Sequence, residues 1–525
     1  MLRRRAGVAG PAPLVRILAG LASAGAAIGV GHLVAALTDP AASPLLAVGS
    51  VAIDAAPTPA KEFVVRTLGN YDKPVLVGAI ALLLAVVAAL LGLIAWGRRS
   101  LALLGIGALG VVGAAAAVYR LGVAAALPSL ASVLVGVATL AWLTRPAATD
   151  TDLDSNDTAD STDSTDEARP VSPGLSRRGL LVGVAAVGVV GAVSGIAGTL
   201  IERAGRSARR LLSLPAPRSA AKPLPAGVQL PGVTPFTTPA ADFYRVDISL
   251  VTPRIQTEGW SLTIDGMVDR PITLSYDDLL AMPMIERDIT LTCVSNEVGG
   301  PYVSSARWLG VPFTDIIKRV GVRPGVDQVF SYSLDSGYTC STPFQAVSDG
   351  RDAMIVVGMN GQPLPDERGF PARMLVPGLF GFVSATKWLK RIEFTTYAQR
   401  TAYWTKRKWA TDAPILTASR IDVPNSLGTL SPSKPVIAGV AWAQHRGIHK
   451  VEIKIDDGPW QQALLADEGG IDLWRQWSYV YDGPAGRHSA QVRATDRTGA
   501  VQPENRTRVF PSGATGWHQI QFQAE

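Results

Sequence analysis

Long uninterrupted apolar runs dominate the first 201 residues of the chain. A helix needs about 20 such residues to cross a bilayer, and the chain holds five runs of that kind, at about Ile17–Leu37, Pro74–Trp96, Leu101–Val118, Leu121–Trp142 and Gly179–Ile201. Only Tyr119 and Arg120 separate the third run from the fourth, which predicts a tight hairpin. Five runs with so little charge are unusual in a soluble protein. The pattern therefore predicts an all-α transmembrane region, with four helices in residues 1–145 and a fifth at 179–201.

Arginines flank these runs unevenly. They precede the first and fifth runs and follow the second and fourth, at Arg3–Arg5, Arg177, Arg178, Arg98, Arg99 and Arg145. All of them fall on one side of the membrane if the N terminus is cytoplasmic, as the positive-inside rule requires. The chain is thus expected to be a multi-pass protein of the cell membrane, in contact with lipid. Residues 202–525 then lie outside the cytoplasm.

The segment 146–178 between the fourth and fifth runs is polar. It contains the acidic stretch DTDLDSNDTADSTDSTDE (Asp150–Glu167), which has no aromatic residue and predicts a disordered cytoplasmic linker. The segment ends in the motif SRRGLLVG (Ser176–Gly183). Its two arginines are either ordinary flanking charge or an internal twin-arginine export signal, which serves to move a folded domain across the membrane.

One histidine, His32, lies in the predicted spans. A transmembrane b-haem usually needs a pair of histidine ligands on facing helices. No haem is therefore expected, and His32 is interpreted as a helix-packing residue.

The pattern changes after residue 201. Residues 202–238 are rich in Pro, Ala and Arg and predict a linker. Residues 239–398 then mix alternating runs typical of strands, at Trp260–Val268 and Arg287–Cys293, with capped helical patterns at Thr273–Pro283 and Val311–Gly321. This mixture predicts an α+β domain.

Short alternating runs separated by turn signals fill residues 399–525. In KVEIKIDDGPW, the residues Val451, Ile453 and Ile455 share one face of a strand that runs into a hairpin-type turn. Such spacing is typical of an immunoglobulin-like β-sandwich. The sequence thus predicts a multi-domain protein with a helical transmembrane region, an α+β domain and a C-terminal β-sandwich.

Composition narrows the chemistry. The chain has 525 residues, a net charge of +6 and no basic run with interleaved aromatic residues, so a nucleic-acid partner is not expected. None of its five histidines lies between Leu33 and Gln444, which excludes a histidine base or a histidine-bound zinc from the middle of the chain. The two cysteines are Cys293 and Cys340. At this point Cys293 could fill the core, form half of a disulfide, act as a nucleophile or bind a metal.

A second stretch with candidate functional residues, after the one around Cys293, spans Asn360–Glu393. It places two cations, Arg373 and Lys387, in segments rich in Pro and Gly. Loop N–H groups next to fixed cations can cradle an anion or a phosphate. The alternative is that both cations are surface charge at the ends of strands.

With these stretches the sequence resembles the sulfite oxidase family of molybdopterin enzymes over about Phe243 to Phe522. The resemblance rests on five ordered blocks: LTCVSN around Cys293, ARWLGVPF (Ala306–Phe313), MNGQPLP (Met359–Pro365), GFPARMLVPG (Gly369–Gly378) and SATKWLKRIE (Ser384–Glu393). It implies an α+β domain that binds molybdenum through one pterin dithiolene, followed by a β-sandwich that often forms a homodimer.

The resemblance also implies roles for particular residues. Cys293 matches the protein ligand to molybdenum, for which a thiolate is a suitable soft donor. Cofactor contacts are expected from Phe243, Tyr244, Arg245, Asn296, Arg373, Ser384, Thr386 and Lys387. Arg245 and Arg368 are the candidate cations for substrate or cofactor anions, and Cys340 is expected to be a buried core thiol.

Two departures from the family pattern bear on the substrate. Val298 stands where sulfite-oxidising relatives have an arginine, and Arg368 replaces a histidine. The expected function is oxygen-atom transfer at molybdenum on a small sulfur-containing substrate such as sulfite, with electrons passing to an external carrier, either a cytochrome or a membrane redox partner. A periplasmic sulfoxide reductase is one alternative. A cofactor-free membrane-tethered interaction module, in which Cys293 pairs with Cys340, is another. Because the pterin cofactor is inserted in the cytoplasm in this family, folded export favours the twin-arginine interpretation.

Overall fold

A computed structural model of the chain describes residues 11–57, 60, 63–64, 67–68, 71–145, 177–209, 212–250, 252–335, 337–433 and 435–525. These residues divide into two compact units, Met1–Ser207 and Ala208–Glu525. The predicted linker at 146–178 lies outside the described residues except for its last two, and Arg3–Arg5 also lie outside them.

The first unit is helical throughout its described part. Its α-helices are α1 (Pro13–Leu37), α2 (Pro44–Ala55), α3 (Asp72–Ala95), α4 (Arg99–Leu121), α5 (Leu127–Leu143) and α6 (Arg177–Arg209). Five stretches are long and apolar enough to cross a membrane: Pro13–Leu37, Lys73–Ala95, Arg99–Leu121, Val123–Leu143 and Arg178–Leu200. They coincide with the five apolar runs of the sequence.

The predicted hairpin position was wrong by a few residues. Tyr119 and Arg120 continue α4, and the break falls at Gly122, whose φ of +92° suits a residue without a side chain. The short helix α2 was not predicted, because its apolar run is too short to span a bilayer. Arg120 Nη1 pairs with Asp54 Oδ2 of α2 at 2.8 Å and ties the two helices together.

Small residues let these helices approach closely. A Cβ added at Gly20 would lie 2.1 Å from the Ala88 carbonyl oxygen, and one at Gly29 would lie 2.3 Å from the Gly191 oxygen. His32 packs against Gly198, where an added Cβ would come within 2.9 Å of the imidazole. This contact agrees with a helix-packing interpretation of His32.

Two sheets and four short α-helices form the first part of the second unit. One sheet has the strand order β2-β1-β10-β5-β6 and the other β3-β4-β7-β8, with β9 paired to β7. The strands are β1 (Ser261–Gly266), β2 (Ile272–Ser275), β3 (Ile285–Thr292), β4 (Val303–Pro312), β5 (Gln328–Ser333), β6 (Thr339–Pro343), β7 (Met354–Met359), β8 (Gln362–Pro363), β9 (Arg373–Leu375) and β10 (Leu389–Thr395). The helices are α7 (Tyr276–Leu280), α8 (Phe313–Val320), α9 (Phe344–Ser348) and α10 (Gly381–Ser384).

Local signals in the sequence set several of these boundaries. Ser275 and Asp278 form a reciprocal capping box that begins α7, as its Ser/Thr-rich start predicted. Gly321 adopts φ +67° and ends α8. The predicted strand and helix patterns in this region are confirmed, and the α+β character with them.

Two further sheets follow, with the orders β11-β13-β17-β16 and β12-β19-β18-β14-β15. Their strands are β11 (Ala418–Val423), β12 (Gly428–Leu430), β13 (Val436–Trp442), β14 (Ile448–Ile455), β15 (Trp460–Gln462), β16 (Leu464–Leu465), β17 (Arg475–Val480), β18 (Gly486–Asp496) and β19 (His518–Ala524). Val451 and Ile453 of one sheet share a core with Ile437 and Trp477 of the other. The alternation predicted for β14 is therefore confirmed, because its apolar residues face this core.

The segment predicted as a linker is attached to the second unit in its described part. Leu212, Leu214 and Leu224 pack against the core of the sheets, and Phe236 is buried in it. Arg218 N donates to the carbonyl oxygen of Met284 at 2.8 Å. Residues 212–238 have neither helix nor strand, whereas residues 202–209 continue α6, and the interspersed leucines anchor the chain.

The same core also extends past residue 398. Trp409, Ala413 and Ile415 pack in it, together with Trp442 of β13. The boundary at 398/399 remains a prediction from the sequence.

Candidate functional site

Cys293 follows directly after β3, where the chain turns into the loop 293–302. Its N–H donates to the Tyr302 carbonyl oxygen at 2.9 Å, and the N–H of Ser295 points to its Sγ at 3.4 Å. The thiol is 8% exposed, and burial raises its pKa. Both Cys293 and Cys340 are free, so the alternative of a disulfide between them is wrong.

Asn296 holds the same loop closed. Its Oδ1 accepts a hydrogen bond from Tyr302 N at 2.8 Å, and its N–H donates to the Cys293 carbonyl oxygen at 3.0 Å. The structure therefore places Asn296 in the support of Cys293.

The loop 293–302 contacts the C-terminal sheets near Gly299 and Gly300. A Cβ added at Gly299 would lie 2.3 Å from the His518 ring, and Arg420 Nη1 donates to the Gly300 carbonyl oxygen at 3.0 Å. His518 Nδ1 in turn accepts from Ile421 N at 3.0 Å. The C-terminal strands thus fix the conformation of the loop that carries Cys293.

The aromatic pair Phe243 and Tyr244 is near Cys293 through Tyr244. The two rings stack at 5.3 Å, and Phe243 also meets the Trp308 ring edge-on at 5.5 Å. Burial, reinforced by the nearby Cys293, raises the pKa of Tyr244. The hydroxyl of Tyr244 approaches Gly381, where an added Cβ would be 3.6 Å away.

Arg368 holds the backbone of this aromatic segment through hydrogen bonds. Its guanidinium donates to three backbone carbonyl oxygens, those of Ala240 (3.0 Å), Tyr244 (2.9 Å) and Ala241 (3.3 Å). The residue is 6% exposed. Three of its donors are thus directed at the backbone of the segment 240–244.

Arg373 is the most deeply buried cation of the site. It begins β9, so the sequence prediction that it lies in a loop was wrong. Its Nη1 and Nη2 donate to the carbonyl oxygens of Arg368 (3.2 Å) and Ala385 (3.3 Å), while its buried Nε has no hydrogen-bond partner among the described residues. Burial lowers the pKa of Arg373 to about 10.

Lys387 lies on the segment between α10 and β10 and reaches an acid that the sequence analysis missed. Its Nζ donates to Asp247 Oδ2 at 2.5 Å, and the same oxygen accepts from Arg245 Nε at 2.9 Å. Burial lowers the pKa of Lys387 to about 8, against the opposing effect of Asp247. Asp247 lies two residues after Arg245, a spacing typical of many surface ion pairs, so no pattern marked it.

Ser384 and Thr386 are fully buried. The Ser384 hydroxyl donates to the carbonyl oxygens of Leu379 and Phe380, both at 3.0 Å. Thr386 Oγ1 shares a 2.6 Å hydrogen bond with Ser331 Oγ. Both hydroxyls hold the shape of the segment 379–387, and Cys340, also fully buried, lies beneath it with Sγ 3.2 Å from the Phe382 oxygen.

Tyr338 is a second residue that the sequence analysis missed. Burial raises its pKa, as do Cys340 and Cys293 nearby. It follows β5 in a turn, and no feature of the local sequence distinguishes it from an ordinary turn tyrosine. The fold places it near Cys293.

These residues form a buried site with an excess of positive charge. The side chains of Arg368, Arg373 and Lys387 lie close enough to Arg245 and to one another to influence their pKa values, and Asp247 is shared by two of them. A buried charge without its own counter-ion is costly. The orphaned Nε of Arg373 and the excess cations fit an anionic group such as a pterin phosphate, and the buried Cys293 thiol fits a soft metal.

Comparisons with known proteins agree with this chemistry. The family model of the oxidoreductase molybdopterin binding domain matches residues 249–404. Mitochondrial sulfite oxidase of Rattus norvegicus is 26% identical over 339 residues, which cover 55% of this chain and 62% of that protein. Sulfite oxidase of Arabidopsis thaliana is 25% identical over 350 residues, 55% of this chain and 88% of that protein. The chain thus spans about three fifths of the length of the mammalian relative.

Two further proteins are similar over the same part of the chain. Nitrate reductase [NADH] 1 of Oryza sativa subsp. japonica is 26% identical, with coverage of 51% of this chain and 36% of that protein. The crystal structure of the sulfane dehydrogenase SoxCD from Paracoccus pantotrophus is 24% identical and covers 55% of this chain and 82% of that chain, with a TM-score of 0.46.

The matched domain contains Cys293, Arg373 and Lys387, and two of the relatives are sulfite oxidases, from a mammal and from a plant. The resemblance inferred from the ordered sequence blocks is confirmed. Residues 249–404 form an oxidoreductase molybdopterin binding domain, and over about half of its length the chain is similar to proteins of the sulfite oxidase family.

Proposed function

We propose that the chain is a membrane-anchored molybdopterin-dependent oxidoreductase that transfers an oxygen atom on a small sulfur-containing substrate such as sulfite. The observation that carries this proposal is the convergence of a free buried thiol, Cys293, with the orphaned guanidinium of Arg373 and the buried ammonium of Lys387. A cofactor-free interaction module would gain nothing from burying these cations.

In this proposal each residue has a distinct task toward the cofactor. Cys293 is the protein ligand to molybdenum, and its buried, raised-pKa thiol loses its proton when the metal binds. Arg373 and Lys387 neutralise the phosphate of the pterin, while Phe243 and Tyr244 pack on its rings. Molybdenum, when bound, supplies the redox and oxygen-transfer chemistry, and the protein supplies position and charge.

Arg245 is the proposed contact for the substrate anion. Its side chain is 30% exposed, unlike that of Arg373, and its Nε donates to Asp247 Oδ2 at 2.9 Å. The terminal guanidinium nitrogens suit an oxyanion. Arg368 acts on the substrate only indirectly in this proposal, because it fixes the backbone of the segment that carries Tyr244 and Arg245.

Reduction of a sulfoxide is the second candidate, and Val298 favours it. A hydrophobic side chain stands here in the loop after Cys293, where sulfite-oxidising relatives carry an arginine. Arg368 does not replace that cation, because its donors are directed at the backbone. A neutral sulfoxide needs less positive charge than sulfite does.

The helical unit supports the proposed membrane anchor. Five helices have the length and composition of spans, and arginine placement favours a cytoplasmic N terminus with residues 202–525 outside the cytoplasm. Electrons then pass to or from an external carrier, a cytochrome or a membrane redox partner. We further propose that residues 399–525 form an immunoglobulin-like β-sandwich that supports a homodimer, and that Arg177 and Arg178 belong to an export signal.

Purification of the full chain from its membrane tests the proposal. We expect molybdenum and pterin in equal amounts with the protein, and sulfite-dependent reduction of a dye. Dye-dependent reduction of a sulfoxide without sulfite oxidation would favour the second candidate. A well-folded protein that holds neither molybdenum nor pterin would contradict both.

A further inference from the structure

A row of aromatic rings leads away from the candidate site toward a polar turn. Tyr338, near Cys293, lies 5.7 Å from Tyr403 between ring centroids. Tyr403 meets Trp404 edge-on at 5.1 Å, and Trp404 lies 6.0 Å from the buried Trp409. Each ring of this row therefore contacts the next, with centroid distances of 5.1 to 6.0 Å.

The row is joined to the cofactor segment at a second point. Phe382 of α10 lies 5.8 Å from Trp409, and Phe382 belongs to the segment 379–387 that holds Ser384 and Lys387. The backbone confirms this proximity, because Phe380 N donates to the Ala413 carbonyl oxygen at 2.9 Å. Trp409, which contacts Trp404, thus packs directly against the segment proposed to hold the cofactor.

The outer end of the row carries a cationic turn. Lys406 and Lys408 are exposed, and Lys408 adopts φ +68° at the end of the 3₁₀ turn Thr405–Arg407. Arg407 lies with its guanidinium 3.6 Å from the centre of the Tyr403 ring. Arg407 therefore joins the cationic turn to the Tyr403 ring of the row.

The turn also lacks compensating acids. Among the described residues no carboxylate forms an ion pair with Lys406, Arg407 or Lys408, whereas Arg400 a few residues earlier pairs with Glu393 at 2.9 Å. The exposed Arg508 adds a charge on the neighbouring segment, where the Pro511 carbonyl oxygen accepts from Ala410 N at 3.1 Å. Positive patches of this kind select acidic partners and steer their approach.

We propose that the cationic turn Thr405–Lys408 is the docking surface for an acidic one-electron carrier protein, and that the aromatic row from Trp404 to Tyr338 is the path of the electron. This inference rests on the proposed function and adds the place and the charge of its redox partner. Oxidation of one sulfite to sulfate takes one oxygen atom from water and releases two protons and two electrons. Two oxidised carrier molecules accept the electrons in turn, and the protons leave to solvent.

The geometry favours a redox protein over anionic lipid headgroups. A lipid-binding patch needs only the cations, whereas here the cations lie on a row of rings that leads to the site. Arg407 is also fixed on Tyr403 by its ring contact and by a hydrogen bond from Nη1 to the Tyr403 oxygen at 2.9 Å.

Binding of two cytochromes to the purified full chain tests the docking surface. The probes are an acidic c-type cytochrome and a basic one of similar size. The Lys406→Glu variant should weaken binding of the acidic cytochrome by about tenfold at low salt, and added salt should weaken binding to the wild type. Arg487→Glu, an equal charge change at an exposed position of β18, is the matched control and should change the affinity by less than about twofold.

Equal effects of the two substitutions, or binding that does not respond to salt, would overturn the docking surface. So would a Lys406→Glu defect seen only with phosphatidylglycerol vesicles, since the turn would then bind lipid. Because binding is measured without substrate, a chain that fails to oxidise sulfite with a small uncharged quinone contradicts the proposed function and leaves the binding result interpretable.

Trp404→Leu tests the path. This variant should bind the acidic cytochrome as the wild type does. The single-turnover reduction of bound cytochrome should slow by about tenfold or more, while reduction of the quinone changes little. An unchanged rate of cytochrome reduction would overturn the inferred path.

Discussion

Lys387 Nζ lies 2.5 Å from Asp247 Oδ2, and both side chains are nearly buried, at 12% and 4% exposure. The same carboxylate oxygen accepts from Arg245 Nε at 2.9 Å. One acid therefore serves two cations beside the loop of Cys293, and within the described part of the chain Arg368 and Arg373 form no ion pair. An anionic cofactor would complete the balance.

Asp247→Asn should destabilise the cofactor-free chain most. Removal of one partner of a buried ion pair leaves the other charge uncompensated and costs about 3 kcal/mol or more. The loss should be smaller in the loaded protein, because the cofactor phosphate offsets the charge of Lys387. Denaturant unfolding of the second unit, with and without cofactor, measures both values.

Asp269→Asn is the matched control for this change. Asp269 pairs with Arg323 at 3.0 Å, but both side chains are more than half exposed. Its loss should change the unfolding free energy by less than about 1 kcal/mol. A similar cost for the two substitutions would contradict the assignment of Asp247 to a buried charge cluster.

Arg373→Lys should lower cofactor retention. The guanidinium presents several donors in a fixed plane, and a lysine in its place cannot supply the orphaned Nε donor together with the two backbone contacts. We expect the pterin content after dialysis to fall by about tenfold, which corresponds to the loss of one charge-assisted hydrogen bond. Arg323→Lys, at the exposed pair, should retain the cofactor, and equal retention by both variants would argue against a phosphate contact at Arg373.

The sequence predicted those features that depend on local patterns. The capping box at Ser275, the end of α8 at Gly321 and the inward face of β14 each follow from a few adjacent residues. The five apolar runs coincide with helices of matching length, because length and composition alone define such a run. The resemblance to the sulfite oxidase family also lies in the linear sequence, in the ordered blocks around Cys293.

Features that depend on distant contacts were missed. Tyr338 and Asp247 reach the site through the fold, and nothing in their immediate sequence sets them apart. Arg368 donates to three backbone carbonyl oxygens more than 120 residues away in the chain, contacts that no local pattern indicates. The segment 212–238 was expected to be a simple linker because its prolines outweigh the leucines that anchor it.

His518 makes the stability of the second unit depend on pH. Burial lowers its pKa from 6.5 to about 4, helped by Arg506 and Arg420 and opposed by Asp422. A lowered pKa means that the folded state binds the proton less readily than the unfolded state. The contribution of His518 to the free energy of unfolding is therefore fully present above pH 6.5. It is lost as the pH drops toward 4, by up to about 3 kcal/mol.

Unfolding free energies of the wild type and of His518→Gln, measured from pH 7 to pH 4, check this effect. The variant has no titrating ring, so its stability should fall less steeply over the interval from pH 6.5 to about 4. The contribution of carboxylates is common to both proteins and cancels in the difference. Parallel curves would show that His518 is not the group responsible.

Replacement of Arg177 and Arg178 by lysine separates the two interpretations of the SRRGLLVG motif. Lysines keep the positive charge that orients a span, but they remove a signal that requires paired arginines. If the motif directs export, the lysine variant should not export the unit Ala208–Glu525. Protease added to spheroplasts should then fail to reach this unit. The same replacement at Arg98 and Arg99 is the control and should leave accessibility unchanged. Normal export of the Arg177 and Arg178 variant would show that the motif is not an export signal and serves only as flanking charge.

The molybdenum content of three purified chains tests the central claim most directly. The wild type should hold about one metal per chain, and Cys293→Ser should lose nearly all of it, because an alcohol is a much poorer ligand than a thiolate for a soft metal. Cys340→Ser, at the other free and buried thiol, should keep the metal as long as the protein folds. Equal metal in the Cys293→Ser and wild-type chains, or no metal in a folded wild type, would contradict the assignment of Cys293 as the ligand.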